Sequence, residues 1–214
     1  MKTPVDSPLD TILQDGYKRN WETYIRELTS TRSTKWDLVI LTASNTRQRQ
    51  AYELQLAHRR RSGLLPRGTD FMVLEDPDGR RIGSGGATLA ALSAAARAFM
   101  FRSRKPVHRR NPFRGRRLLV IHSGGDSKRL PQYSAFGKLF ARVPHQLPDS
   151  RCSSLFDEFL VSLCGLPPLM SEGALVVSGD VLLLFDHTQL DFSRQGVVGV
   201  GMKVEPEVAS HHGV

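Results

Sequence analysis

The sequence predicts an α/β fold in which helices cover a mostly parallel sheet. Apolar runs typical of buried strands alternate along the chain with segments of helical spacing, which is the pattern of a parallel sheet. The chain has 214 residues, of which 40% are hydrophobic, enough to build the core of one sizeable domain. Glycines and an aspartate directly follow several of the predicted strands, where the ligands of such folds bind.

The first half of the chain supplies two predicted strands and three predicted helices. Apolar residues at helical spacing over residues 9–28 predict an amphipathic helix, so residues 1–35 are expected to form an N-terminal helical segment. A buried strand, "WDLVILTA", is predicted over residues 36–43 and a helix over 47–61, after capping residues at 44–46. A strand running into a turn is predicted over 71–79. The glycine loop "RIGSGGAT" at 81–88 then opens into an alanine-rich helix.

The second half supplies three more predicted strands. The run "RLLVIHS" predicts a strand over residues 117–123, and a helix is predicted over 153–164. The run "ALVVSGDVLLLF" predicts a strand over 174–185 that is interrupted by Gly179, and "GVVGVGMKVE" predicts a fifth strand over 196–205.

Two glycine-rich segments are candidate phosphate sites. Glycines at a turn from a strand into a helix let backbone N–H groups approach an anion, and the helix N-terminus favours negative charge. The segment "GSGGAT" is not a dinucleotide fingerprint, because Thr88 stands where the third glycine is required. The segment "GGDSKRLPQYSAFGK" is not a P-loop, because Leu139 follows Gly137–Lys138. An ordinary tight turn remains the alternative for each.

Three charged residues are the candidates for phosphate and metal chemistry. Arg129 could bind phosphate oxygens through bidentate hydrogen bonds. Lys138 could place a positive charge where negative charge develops in a phosphoryl or nucleotidyl transfer. Asp180 lies between two apolar runs and is a candidate Mg²⁺ ligand, since Mg²⁺ on phosphates is held by one or two carboxylates. The alternatives are a surface loop for the basic residues and a turn cap for Asp180. His122 is interpreted as a packed histidine rather than a base.

The net charge of +9 permits an anionic partner but does not identify one. Basic residues cluster at 58–61 and 102–117, and the second cluster contains two prolines and no apolar face, as expected of a solvated loop. No zinc-finger spacing or aromatic ladder supports a nucleic-acid interface. No apolar run approaches the roughly 20 residues of a membrane helix. The N-terminus lacks a signal-peptide core, and the two cysteines lack metal spacing, so a cytoplasmic location is expected.

The string "GGDSKRLP" followed by "GK" resembles the phosphate-binding signature of sugar-1-phosphate nucleotidyltransferases, with Ser127 in place of the third glycine. Together with "DPDGRRIGSGGATLAAL", "VSGDVLLLFD" and "ASHHGV", it resembles the fucose-1-phosphate guanylyltransferase (GDP-fucose pyrophosphorylase) domain, above all that of bifunctional fucokinase/GDP-fucose pyrophosphorylases. The resemblance implies a Rossmann-like, GT-A-like layered sheet, with residues 36–214 as the N-terminal part of the nucleotidyltransferase domain.

The resemblance also implies roles for individual residues. Arg129 would hold the phosphates, Lys138 would stabilise the transition state at the α-phosphorus, and Asp180 would bind Mg²⁺. The residues that would line the guanine nucleotide are Gly83, Ser84, Gly85, Gly86, Gly124, Gly125, Asp126 and Ser127.

The activity so implied is the formation of GDP-fucose and pyrophosphate from GTP and L-fucose 1-phosphate. The chain ends at Val214, within a block where the family continues, so a truncated domain with the nucleotide half of a site is expected, with turnover in doubt. Two alternatives stay open. One is a nucleotidyltransferase for another sugar 1-phosphate, and the other is a non-catalytic nucleotide- or nucleic-acid-binding remnant.

Overall fold

The computed structural model describes residues 8–102, 111–123, 131–133, 137–181, 190–192, 196–199, 201 and 204–210. Four strands form a parallel sheet in the order β2-β1-β3-β6. These are β1 (Leu38–Ala43), β2 (Asp70–Glu75), β3 (Arg117–His122) and β6 (Gly173–Ser178). The α/β fold with a four-stranded parallel sheet and flanking helices is thereby confirmed.

Helices connect and cover the strands. They are α1 (Pro8–Thr29), α2 (Thr46–Arg61), α3 (Gly83–Arg102), α4 (Leu155–Leu163) and the short α5 (Pro206–Ala209). Asn45 caps α2 by accepting a hydrogen bond from the backbone N–H of Gln48, and Ser154 caps α4 in a capping box with Asp157. Among the described residues, no helix combines the length and the apolarity that crossing a bilayer would need.

The two central strands are buried on both faces, as expected when helices cover both sides of a parallel sheet. On one face, Val39 and Leu119 belong to a cluster that includes Tyr52 of α2 and Phe156 of α4. On the opposite face, Ile40 packs in a second cluster with the small residues Ala91 and Ala95 and with Phe99 of α3. The molecule therefore has three layers, with α2 and α4 on one side of the sheet and α3 on the other.

Buried polar contacts fix the helices against one another. The Arg59 guanidinium of α2 donates two parallel hydrogen bonds to Asp157 of α4, at 2.9 and 3.0 Å. The same guanidinium lies 4.8 Å from the centre of the Phe140 ring. Tyr17 of α1 donates a hydrogen bond to Glu158 of α4 at 3.0 Å. The N-terminal helix is thus attached to the layer that covers the sheet.

Two expectations for the secondary structure were wrong, and one pair of strands was missed. Residues 83–88 are not a loop before a helix but the first turns of α3 itself. Within 196–205, the described residues form no strand, and Val197 is fully exposed, so this valine-glycine pattern pairs with nothing there. A small antiparallel pair, β4 (Arg142–Gln146) and β5 (Cys152–Ser154), was not predicted. The sequence of this pair gives no strand signal. β4 is mostly exposed and therefore lacks alternating apolar residues, and β5 is only three residues long.

Candidate functional site

A pocket of about 230 Å³ opens at the carboxyl ends of the central strands. β2 and β3 pair with opposite edges of β1, so the connections after β1 and after β2 lead to opposite sides of that strand. The pocket lies at this reversal of the strand order. This topological switch point is where open α/β sheets bind their ligands. The lining residues come from the ends of β1, β2 and β3 and from the start of α3: Thr42, Ala43, Ser44, Asp76, Arg81, Gly83, Ser84, Ala87 and His122.

The N-terminus of α3 forms one wall of the pocket. Gly83 and Ser84 line it, and their predicted nucleotide-binding role stays a prediction; Gly83 has a φ of +71°, a conformation that favours glycine. The helix is 20 residues long and has no acidic residue in its first turn. Free N–H groups and the helix dipole at such an end favour an anionic group. Gly85 is exposed and Gly86 half-buried, and neither lines the pocket.

His122, at the end of β3, connects the strands to α3. The Thr88 hydroxyl donates to the carbonyl of Ser84 at 2.9 Å, so it accepts from Nε2 of His122 at 2.8 Å. Nδ1 of the same ring lies 3.5 Å from the Thr42 hydroxyl. Burial lowers the pKa of His122, with Asp76 opposing that shift. A neutral imidazole with hydroxyls at both nitrogens positions the first turn of α3, which agrees with the interpretation of His122 as a packed residue.

Asp76 is a pocket residue that the sequence interpretation missed. It directly follows β2, and its backbone N–H donates to the carbonyl of Ala43 at 2.9 Å, which holds it beside the end of β1. Its half-buried carboxylate lines the pocket together with Arg81. Burial raises the pKa of Asp76, with the charges of Arg81 and His122 opposing that shift. A polar residue directly after a strand is the same signal that singled out Asp180, so it could have identified Asp76.

Lys138 is placed by an unusually close backbone contact. Gly137 has a φ of +75°, and a Cβ at this position would lie 2.0 Å from the hydroxyl of the fully buried Tyr52. The same hydroxyl donates to the carbonyl of Ser123, just after β3, at 3.2 Å. Glycine is therefore required on both conformational and steric grounds. The contact fixes the backbone before Lys138, a half-buried residue, against the carboxyl end of β3.

Asp180 lies at the same edge of the sheet, after β6. Gly179 donates a backbone hydrogen bond to the carbonyl of His122 at 2.8 Å, and a Cβ on Gly179 would approach that oxygen to 3.0 Å. The side chain of the exposed Asp180 accepts a hydrogen bond from the Ser178 hydroxyl at 2.5 Å. Within the described ranges, no group of three or more His, Cys, Asp and Glu side chains could hold a metal ion. A carboxylate at this position fits the way Mg²⁺ on phosphates is held, by one or two carboxylates and the phosphate oxygens.

Five of the predicted site residues lie outside the described residues. They are Gly124, Gly125, Asp126, Ser127 and Arg129. Two described residues on either side of this stretch, Ser123 and Gly137, contact the carboxyl end of the sheet. The predicted roles of the five residues stay predictions.

A second pocket, of about 440 Å³, lies at the amino end of β2 and carries positive charge. Arg60 and Arg61 from the end of α2 and Arg67 from the following loop line it, above the apolar residues Leu28 and Leu65. None of these three guanidinium groups has an ion-pair or hydrogen-bond partner among the described residues. Part of the net charge of +9 therefore lies away from the pocket at the carboxyl ends.

Comparison with known proteins confirms the resemblance that the motifs indicated. The family "Fucose pyrophosphorylase domain" matches residues 112–214. The chain is 33% identical over 199 residues to the bifunctional fucokinase/GDP-fucose pyrophosphorylase of Arabidopsis thaliana, covering 86% of this chain and 19% of that protein. It is 32% identical over 182 residues to the fucose-1-phosphate guanylyltransferase of Homo sapiens, covering 84% of this chain and 28% of that protein.

The chain thus spans less than a third of the length of these curated relatives. A bacterial relative, the L-fucokinase/L-fucose-1-P guanylyltransferase of Bacteroides fragilis, is 30% identical over 152 residues, which are 68% of this chain and 16% of that protein. No solved structure matches the chain.

Proposed function

We propose that this homologue of fucose-1-phosphate guanylyltransferases, which matches the fucose pyrophosphorylase domain over residues 112–214, provides the nucleotide-binding part of an enzyme that makes GDP-fucose. In the proposed reaction GTP and L-fucose 1-phosphate give GDP-fucose and pyrophosphate. The activity of the whole enzyme is part of the proposal, because the chain spans less than a third of these relatives.

The observation that carries this proposal is the pocket at the switch point of the sheet. One wall is the N-terminus of α3, with Gly83 and Ser84, which suits the phosphates of a nucleotide. Arg81 adds a cationic side chain to the same pocket. Lys138 and Asp180 follow backbone segments that contact the same edge of the sheet, so two residues with proposed phosphate and metal roles come from neighbouring loops.

The proposed chemistry is an in-line displacement at the α-phosphorus of GTP. A phosphate oxygen of the sugar 1-phosphate forms the new P–O bond, and the bond to the bridging oxygen of the β-phosphate breaks, so pyrophosphate leaves with the electron pair. The attacking phosphate is already deprotonated, so no general base is required, and a neutral His122 is consistent with that. Both reactants are anions, so catalysis depends on positioning and charge stabilisation.

Each proposed catalytic side chain has one task in this scheme. Arg129 binds the phosphates, Lys138 stabilises charge at the α-phosphate, and Asp180 would hold Mg²⁺ beside the nucleotide phosphates. When bound, Mg²⁺ would neutralise phosphate charge.

A negative charge placed at the start of α3 tests whether this end of the helix binds the phosphates. Ser84→Asp should weaken GTP binding by about tenfold or more, because a carboxylate at this position repels phosphates. The same change favours the helix dipole, so unfolding is not the expected cause of the loss. The matched control is Ser93→Asp, at an exposed position further along the same helix, which should leave GTP affinity unchanged.

Turnover is tested by pyrophosphate release from GTP and L-fucose 1-phosphate in the presence of Mg²⁺, with other sugar 1-phosphates for comparison. Lys138→Ala should lower the rate of release by at least about tenfold while the thermal unfolding midpoint changes little. If Ser84→Asp and Ser93→Asp bind GTP equally well, α3 does not contact the phosphates and the proposed site is wrong.

A further inference from the structure

Asp76 is a second polar feature of the pocket at the carboxyl ends of the strands, distinct from the N-terminus of α3. Its backbone position is fixed on both sides, by the hydrogen bond to Ala43 and by the turn in which the N–H of Gly79 donates to the carbonyl of Asp76 at 3.2 Å. The side chain does not cap the short 3₁₀ turn that it precedes. Two backbone hydrogen bonds therefore hold Asp76 at the pocket that this residue lines.

This carboxylate accepts no hydrogen bond from any described residue, although it is half-buried. Burial raises the pKa of Asp76, because burial disfavours the ionised form of a carboxyl group. A carboxylate ion accepts hydrogen bonds at both oxygens, so one that lines a pocket without a described donor can bind a ligand that supplies donors. A cation is a poor candidate for that ligand, because the positive charge of Arg81 already acts on Asp76.

Guanine is the purine whose edge matches two carboxylate oxygens. It presents two adjacent donors, N1–H and the N2 amino group, which a carboxylate can accept as a parallel pair of hydrogen bonds. Adenine presents one donor beside an acceptor nitrogen, and that nitrogen would face a carboxylate oxygen without a hydrogen between them. The α3 wall of the same pocket is left for the phosphates.

We propose that Asp76 selects guanine nucleotides by accepting hydrogen bonds from N1–H and from the N2 amino group of the base. The inference rests on the proposed function, in that it assigns the base end of the same nucleotide site. It makes Asp76 a specificity-determining residue rather than a metal ligand.

The test compares nucleotides that differ only at this edge of the base. The wild-type chain should bind GTP at least about tenfold tighter than ITP, which lacks the N2 amino group, and tighter still than ATP or XTP. This first measurement needs no variant, so it stands whether or not a substituted chain folds.

Asp76→Asn should then exchange the preference. The new amide can donate to the O2 of xanthine, so XTP affinity should rise by about tenfold while GTP affinity falls by about tenfold or more. The matched control is Asp78→Asn, at an exposed aspartate two residues further on, which should leave all four affinities unchanged.

Two results would overturn the inference. One is a wild-type chain that binds GTP, ITP and ATP with equal affinity, and the other is an Asp76→Asn variant that loses all nucleotides equally, as expected of a metal ligand. A wild-type chain that binds no nucleotide at all would instead contradict the proposed function.

Discussion

The two ends of the parallel sheet carry different chemistry. At the carboxyl ends the pocket is lined by small and hydroxyl-bearing residues, with Asp76 and Arg81 as charged groups, and backbone segments meet there closely. At the amino end of β2 the pocket is lined by Arg60, Arg61 and Arg67 and has no acidic lining residue. The net charge of +9 alone would point to the arginines. The topology of the sheet and the close backbone contacts point to the opposite end instead.

The largest expected effect separates two neighbouring arginines of α2. Arg59→Met should lower the free energy of unfolding by about 3–5 kcal/mol, because it leaves the buried Asp157 carboxylate without its cationic partner. Arg60→Met should change it by less than about 0.5 kcal/mol, since Arg60 is exposed and has no partner among the described residues. Urea unfolding of both variants measures the difference. An equal loss in both would show that the arginine pocket is structural.

The second prediction compares two glycines with similar positive φ angles. Gly137→Ala should destabilise the fold by about 3–4 kcal/mol, since it combines a left-handed alanine with a clash against the buried Tyr52 hydroxyl. Gly63, at the end of α2, has a φ of +69°, but a Cβ there would meet nothing within 4 Å. Gly63→Ala should cost only about 1 kcal/mol. Similar losses in thermal unfolding for the two variants would mean that the Gly137 contact is not tight.

The sequence predicted the strands of the sheet best where both faces are buried. The runs that became β1 and β3 are continuous and apolar because helices cover both sides, and such runs need no knowledge of their neighbours. The valine-glycine run at 196–205 has a similar composition, but burial decides whether such a run pairs, and burial is not visible in the sequence. β4 carried no signal because its side chains are mostly exposed.

The site was predictable only where one stretch of chain holds the whole signal. Gly83 and Ser84, which line the candidate pocket, were singled out because glycines before a helix are recognisable alone. Asp76, Thr42 and His122 come from three strands, and the parallel register of β2, β1 and β3 brings them together. A single sequence does not specify that register. Gly137 was expected to precede a phosphate-binding lysine, and the structure adds a packing reason for it.

The third prediction concerns Glu27, a buried acid on the side of the molecule that has the arginine-lined pocket. Glu27 is 1% exposed, and its carboxyl oxygen Oε1 has no hydrogen-bond partner among the described residues. Burial raises the pKa of Glu27 from 4.5 to about 7, with Lys35 and Arg26 opposing. Because the folded-state pKa is the higher one, this stabilisation is complete below pH 4.5 and is lost as the pH rises through 7.

The expected loss of unfolding free energy from Glu27 is about 3 kcal/mol between these two pH values. Glu27→Gln should remove that loss, so the variant should match the parent chain at pH 4.5 and exceed its stability at pH 8. Urea unfolding across this range measures it, with the exposed Glu53→Gln as control. A parent chain whose stability does not fall between pH 5 and 8 would contradict a raised pKa.

The smallest effect is expected where the two ends are tested directly against each other. Six-residue strands separate them by about 20 Å, which exceeds the Debye length of about 8 Å at physiological salt. Arg67→Gln should therefore change GTP affinity by less than about twofold at 150 mM salt, while Arg81→Gln, in the carboxyl-end pocket, should weaken it by about tenfold.

At 10 mM salt the Debye length approaches 30 Å, so Arg67→Gln should slow GTP association modestly without changing the preference for guanine. Stopped-flow binding at the two salt concentrations measures this.

If Arg67→Gln weakens GTP binding at 150 mM salt as much as Arg81→Gln, the anion binds at the amino end and the assignment of the pocket is reversed. If Arg67→Gln instead abolishes a steeply salt-dependent binding of single-stranded RNA, the basic end has a nucleic-acid partner of its own. The functional comparison between the two ends would then have to include both.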